Sequence, residues 1–175
     1  MHVHIRPAVP ADADACARIH VAAWEASYRG IMPDEEFERR PLERRRQQWR
    51  EWLGSGEHFT IVACDDDGEL LGFAGARLLD GTLGFDSYLS TLYLRPDMTG
   101  HGLGRTLLRA IAGKLFTAGA RNMVLRTLRF NSNARAFYER MGARFIPEGV
   151  DVDAGVFDDV AYAFDDLHAL VRYSA

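Results

Sequence analysis

Residues 92–105 read Leu92-Tyr93-Leu94-Arg95-Pro96-Asp97-Met98-Thr99-Gly100-His101-Gly102-Leu103-Gly104-Arg105. The segment runs from an apolar extended stretch through a glycine-rich loop into a helical repeat, Leu103, Leu107, Ile111 and Leu115. A strand, a glycine loop and a helix in that order gather the unpaired N–H groups of the helix start around one point. The helix dipole favours an anion there. Glycines at alternate positions keep side chains out of that point, and Arg105 stands just inside the helix, placed to add a charge-assisted bond. A tight turn alone needs fewer glycines, so the segment reads as an anion site. Two common phosphate loops do not fit it. A Walker loop requires Gly-Lys-Ser/Thr after a four-residue spacer, and Gly104-Arg105-Thr106 lacks that gap. A dinucleotide fingerprint requires G-x-G-x-x-G, whereas Gly100, Gly102 and Gly104 alternate.

Outward from this segment the periodicity changes several times. Towards the N-terminus, Phe85–Leu94, Leu70–Leu79 and His58–Ala63 read as strands, with turns at Asp80-Gly81 and Asp65–Gly68. Before them, Ala15, Cys16, Ile19, Ala23 and Trp24 recur at helical spacing between Ala11 and Tyr28, and Gly30 follows. Pro33-Asp34 opens a second helical region through Phe37, and Pro41 starts a continuation with Leu42, Trp49 and Leu53 on one face. His2–Ala8 alternates weakly as a short strand. Towards the C-terminus, the helix from Gly102 to Ala118 stops at Gly119, and Asn122–Phe130 is a strand. Asn131 or Ser132 then caps a short helix with Ala134, Phe137, Tyr138 and Met141 inward, and Arg144–Ile146 and Val160–Phe164 are the last strands. This order predicts an α/β sandwich around one mixed sheet.

Composition bounds the rest. With 175 residues, 47% of them apolar, the chain suits one domain with an ordinary core. Cys16 and Cys64 lie in apolar stretches and read as buried thiols. The net charge of −4 argues against a nucleic-acid polyelectrolyte. Of 21 basic residues only Lys114 is a lysine, which reads first as a coding bias. No apolar run reaches the roughly 18 residues of a membrane helix, and MHVHIRPAVP does not resemble a secretion signal, so a soluble cytoplasmic protein is expected.

The segment 99–104, Thr99-Gly100-His101-Gly102-Leu103-Gly104, resembles the pyrophosphate motif of the GNAT superfamily of N-acetyltransferases, Arg/Gln-x-x-Gly-x-Gly/Ala. The Leu-Tyr-Leu-x-Pro before it looks like that family's central strand. Asn131-Ser132-Asn133-Ala134-Arg135-Ala136-Phe137-Tyr138-Glu139-Arg140-Met141-Gly142 is similar to the second family signature, and Trp24-x-x-x-Tyr28-Arg29-Gly30-Ile31-Met32-Pro33 looks like the acceptor-side helices of many bacterial members. The resemblance implies a single GNAT-like acyl-CoA N-acyltransferase domain over residues 1–175. Its sheet would be mixed, mostly antiparallel and twisted, with helices on both faces. It also implies an enzyme that passes acetyl from acetyl-CoA directly to a primary amine, on a small molecule, a peptide N-terminus or a lysine.

Carried over residue by residue, the N–H groups of Gly100, His101, Gly102, Leu103, Gly104 and Arg105 would hold the pyrophosphate. Leu92, Tyr93 and Leu94 would pair with the pantetheine arm as an added strand, and Asn131 would help hold that arm. Tyr138 would protonate the leaving thiolate, a role that suits a phenol with pKa near about 10. Two departures stand out. Thr99 occupies the Arg/Gln slot, which implies weaker cofactor binding. Tyr88 occupies a position where many relatives carry a Glu base, leaving Asp86, or a water chain past Tyr88 and Ser90, to take the proton. These departures motivate an alternative, a non-catalytic CoA-binding or sensor protein on the same fold. The family analogy also allows a homodimer.

Other candidates weigh less. Arg39–Arg46 could bind nucleic acid or an acidic partner, but Glu35 and Glu36 stand four residues before Arg39 and Arg40, the spacing of ordinary helical ion pairs. His2 and His4 lack ligand-spaced companions, so no metal is expected. His101 faces either phosphate or solvent. Trp24, Tyr28, Trp49 and Trp52 are core residues by default, with Trp24 and Tyr28 the candidates for an acceptor wall. Asp65–Gly68 reads as a hairpin turn rather than a Ca²⁺ loop.

Overall fold

The computed structural model describes residues 2–152 and 158–172. Its strands are β1 (His4–Pro7), β2 (Phe59–Cys64), β3 (Leu70–Leu78), β4 (Ser87–Leu94), β5 (Met123–Leu128), β6 (Arg144–Ile146) and β7 (Asp159–Phe164). Its helices are α1 (Ala13–Tyr28), α2 (Asp34–Glu38), α3 (Leu42–Ser55), α4 (Leu103–Thr117), α5 (Ser132–Arg140) and α6 (Leu167–Arg172). The strands form one seven-stranded mixed sheet in the order β1-β2-β3-β4-β5-β7-β6. β4 and β5 are parallel, Tyr88 opposite Val124 and Leu89 opposite Leu125. A parallel pair needs a long crossover, and α4 occupies that connection. β1–β2, β5–β7 and β6–β7 are antiparallel. No helix among the described residues is long and apolar enough to cross a membrane.

The chain forms two compact units, Met1–Gly75 with Thr91–Leu108, and Ala76–Ser90 with Arg109–Ala175. In the first, Ala13, Cys16, Ala17 and Ile19 make one stripe of α1, packed with Trp49 of α3, Val62 of β2 and Phe73 of β3. The spacing of three and four is the helical repeat that burial requires. Arg6 forks onto Asp12 at 2.7 and 2.9 Å, and Asp12 also accepts the Val9 N–H, which ties β1 to the start of α1. Cys16 is a buried free thiol pushed up to about 12 by burial, and Cys64 is buried and free as well. In the second unit, Tyr88, Val124, Ile146, Val152, Ala161 and Ala163 form the core.

The elements depart from expectation at a few places. β4 begins at Ser87 rather than Phe85, where Leu79 N–H donates to Asp86 O at 2.8 Å and closes the β3–β4 connection. α6 was not expected; its Leu167 and Leu170 are buried, but six residues carry too little periodicity to register. On α5 only Tyr138 is buried, while Ala134, Phe137 and Met141 are half-buried. The 65–68 turn is a hairpin: Gly68 N–H donates to Asp65 O, and Asp65 Oδ1 accepts from Asp67 and Glu69 N–H. The arginines of 39–46 are mostly paired as helix geometry predicts, Glu36 with Arg39 and Arg40, and Glu43 with Arg46.

Candidate active site

The first unit carries the glycine loop. β4 reaches it with Leu92, Tyr93 and Leu94 half-buried, so this stretch of the strand is not sealed in the core. Gly72 of β3 lets the two backbones approach. A Cβ there would lie 2.6 Å from Leu94 Cδ2 and 2.9 Å from the Tyr93 carbonyl oxygen. At the strand end Arg95 N–H donates to Leu71 O at 2.8 Å, and the Arg95 guanidinium forks onto Asp97 at 2.7 and 2.9 Å. Buried Met98 anchors the bend that follows. Thr99 is exposed, and its hydroxyl donates to Pro96 O at 3.0 Å, so its side chain holds the loop to itself.

Gly100 and Gly102 both have φ of +82°, the left-handed region, and an added Cβ on either would meet nothing within 4 Å. The glycines are therefore set by conformation, and the space before them is open. α4 then begins, with Thr106 N–H donating to Gly102 O at 3.2 Å. The first-turn N–H groups have no acceptor within the helix, and no acidic residue sits in that turn. Leu103 is buried and pins the helix start, Gly104 is half-buried, and His101 and Arg105 are exposed at the rim.

The same unit holds an open cavity lined by His20, Trp24, Glu25, Phe37, Arg40 and Arg45 among others, about 270 Å³ when the solvent space at its mouth is counted. Trp24 packs edge-on against Phe37 at 5.3 Å and Tyr28 at 4.9 Å, and Arg40 lies 4.9 Å over its ring. Tyr28 is buried and Trp24 half-buried. Trp49 is fully buried, donates its Nε1–H to His20 Nδ1 at 3.3 Å, and packs on Trp52, so the core assignment holds for it. His20 in turn stacks on the Tyr93 ring at 4.4 Å. Burial first, then Arg45, pushes the His20 pKa well below its usual value, so the ring is neutral with its proton on Nε2.

The second unit carries the remaining candidates. Asn131 is the α5 N-cap, its side-chain oxygen accepting from Ala134 N–H at 3.1 Å. Tyr138 is buried on α5 beside Phe137, 5.2 Å between ring centres, and 6.5 Å from Tyr162 of β7. Arg135 Nε donates to the Tyr162 hydroxyl at 3.0 Å, and that hydroxyl donates to Glu139 at 2.7 Å. This clamp holds α5 against β7 and so fixes the helix that carries Tyr138. The Asp86 carboxylate accepts from Arg121 N–H at 2.7 Å, and Asp86 N–H donates to Asn122 at 2.7 Å. Asp86 is thus a tie between β4 and the loop before β5. Tyr88 is buried under Arg77, 5.5 Å from ring centre to guanidinium, and Ser90 is half-buried.

Reading the sequence missed Gly72, His20 and Tyr162, and weighed Arg45 only as part of the Arg39–Arg46 run. His20 alone carried a local signal, lying four residues after Cys16 on the buried stripe of α1. The others act through partners distant in the chain.

The chain belongs to the acetyltransferase (GNAT) family, whose family model matches residues 17–143. It is 36% identical over 124 residues to an aminoglycoside N(6')-acetyltransferase type 1 of Stenotrophomonas maltophilia, covering 68% of this chain and 71% of the relative. It is 27% identical over 170 residues to the uncharacterized N-acetyltransferase YuaI of Bacillus subtilis, covering 96% of both. Among solved structures, the PaiA N-acetyltransferase of Thermoplasma acidophilum in complex with coenzyme A superposes with a TM-score of 0.74 at 22% identity, over 93% of this chain and 98% of that one.

Proposed function

We propose that residues 1–175 work as one acetyltransferase domain that moves an acetyl group from acetyl-CoA directly to a primary amine. The observation that carries this reading is the open cradle of Gly100–Arg105. Its two left-handed glycines face empty space at the acid-free start of a 15-residue helix. Main-chain donors hold the pyrophosphate there. Leu92, Tyr93 and Leu94 pair with the pantetheine arm as an added strand, and one of their N–H groups polarises the thioester carbonyl. The coenzyme A complex of the Thermoplasma protein and the activity named for the Stenotrophomonas relative support this reading.

The amine nitrogen adds to the thioester carbonyl carbon, and the C–S bond breaks with its electron pair on sulfur. The Tyr138 phenol gives sulfur its proton, yielding CoA thiol. The proton shed by nitrogen returns to Tyr138 through water past Tyr88 and Ser90. Asp86 is less suited to that step, since its carboxylate already accepts the Arg121 N–H.

Calorimetry with CoA tests the cradle, and thiol release over a panel of amines tests the transfer. Tyr138→Phe should lower kcat by roughly 10²–10³ while CoA affinity stays within about twofold. Undiminished turnover in that variant removes Tyr138 as the acid. CoA binding without any amine turned over favours the CoA-sensor alternative.

A further inference from the structure

The cavity of the first unit contains a charge that no carboxylate of the described residues pairs with. Glu25 is paired with Arg29 at 3.0 Å, and Arg40 with Glu36 at 2.6 Å. Arg45 is different. It is half-buried, its Nη1 donates to the neutral Gln48 side chain, and among the described residues no carboxylate lies within ion-pair distance. Burial first pushes its pKa down, the Tyr93 phenol works against that by favouring the charged form, and the like charges of Arg40 and Arg44 add a smaller push downward. A guanidinium stays charged in such a place, so the cavity presents a partly desolvated cation without a counter-ion. His20 beside it is neutral and supplies none.

We propose that Arg45 anchors a carboxylate on the amine acceptor, which makes the acceptor a small amino-acid-like amine whose carbon frame lies against Trp24 and Phe37. This rests on the acetyltransferase reading and names the substrate class for it. The guanidinium fork matches the two oxygens of a carboxylate. The link to the transfer step is Tyr93, which stacks on the cavity residue His20, neighbours Arg45 and belongs to the strand segment assigned to pantetheine. A polycation meets Arg40 and Arg45 as like charges. The acceptor therefore differs from the aminoglycoside in the name of the Stenotrophomonas relative.

The test is calorimetry on the protein with and without CoA. The probes are α-amino acids of each side-chain class, each paired with its carboxamide, together with the aminoglycoside kanamycin. At least one acid should bind more tightly than its carboxamide by roughly 10- to 100-fold, the range for a hydrogen bond to a charged group. Arg45→Gln should abolish that contrast, Arg45→Lys should keep part of it, and CoA affinity should be the same in both variants. No acid binding, carboxamides or kanamycin binding as tightly, or a contrast that survives Arg45→Gln overturns the proposal. Failure of the wild type to bind CoA is a separate result that ends the acetyltransferase reading. The acid–carboxamide contrast in the unliganded protein then still decides on Arg45.

Discussion

His20 lies among Trp49, Phe73 and Tyr93, and its protonation state has a measurable cost. A buried imidazole whose pKa is lowered stays neutral in the folded chain while the unfolded chain takes up the proton. Stability from this group is complete above the ordinary value of 6.5 and is lost as pH falls below it towards the folded pKa. The slope is up to about 1.4 kcal/mol per pH unit. Urea unfolding at pH 7.5, 6.5 and 5.5 should show that loss, and His20→Gln, which keeps an acceptor for Trp49 but does not titrate, should flatten it. An equally steep fall in the variant would place the titration elsewhere. At this scale the sequence was legible where local geometry depends on near neighbours: the left-handed turns at Gly100 and Gly102 and the Asn131 cap. For Arg45 the sequence offered only the Arg39–Arg46 run, without showing which arginine lacks a carboxylate partner, and for Asp86 it hid the partner Arg121, 35 residues away.

Among the elements, β4, its loop and α4 carry most of the proposed chemistry, and their positions depend on β3. Gly72→Ala puts a methyl group against the Tyr93 carbonyl, which belongs to the backbone and cannot rotate away. The strand must shift, at a cost of about 1–3 kcal/mol typical of overpacking. The urea midpoint should fall accordingly, and CoA affinity should fall with it, since Tyr93 and Leu94 move together. Wild-type CoA affinity in a destabilised variant would show that the pantetheine arm does not use this strand. The order of elements could be read from the sequence because each main helix and strand has its own hydrophobic period. α6 was too short for that, and the closeness of β3 and β4 at Gly72 is a pairing across the sheet with no trace in local spacing. α5 was placed correctly, yet its attachment through Arg135, Tyr162 and Glu139 joins residues up to 27 apart.

Over the whole molecule, β3, β4 and α4 each contribute residues to both compact units. Neither unit can unfold without melting part of an element it shares, so a single cooperative transition is expected. Tryptophan emission and far-ultraviolet circular dichroism should give coincident urea curves; separated midpoints would mean that the shared elements break at the boundary. The two probes are independent because Trp24, Trp49 and Trp52 all lie in the first unit. The chain is therefore optically one-sided, with one unit emissive and the other seen through tyrosine alone. Trp49 is sealed in the core and gives a steady background, while Trp24 forms the cavity wall under the Arg40 guanidinium. Any amine that seats there changes the surroundings of one emitter in three. The unmodified protein can thus report which acceptors it holds before any of them is known to be acetylated.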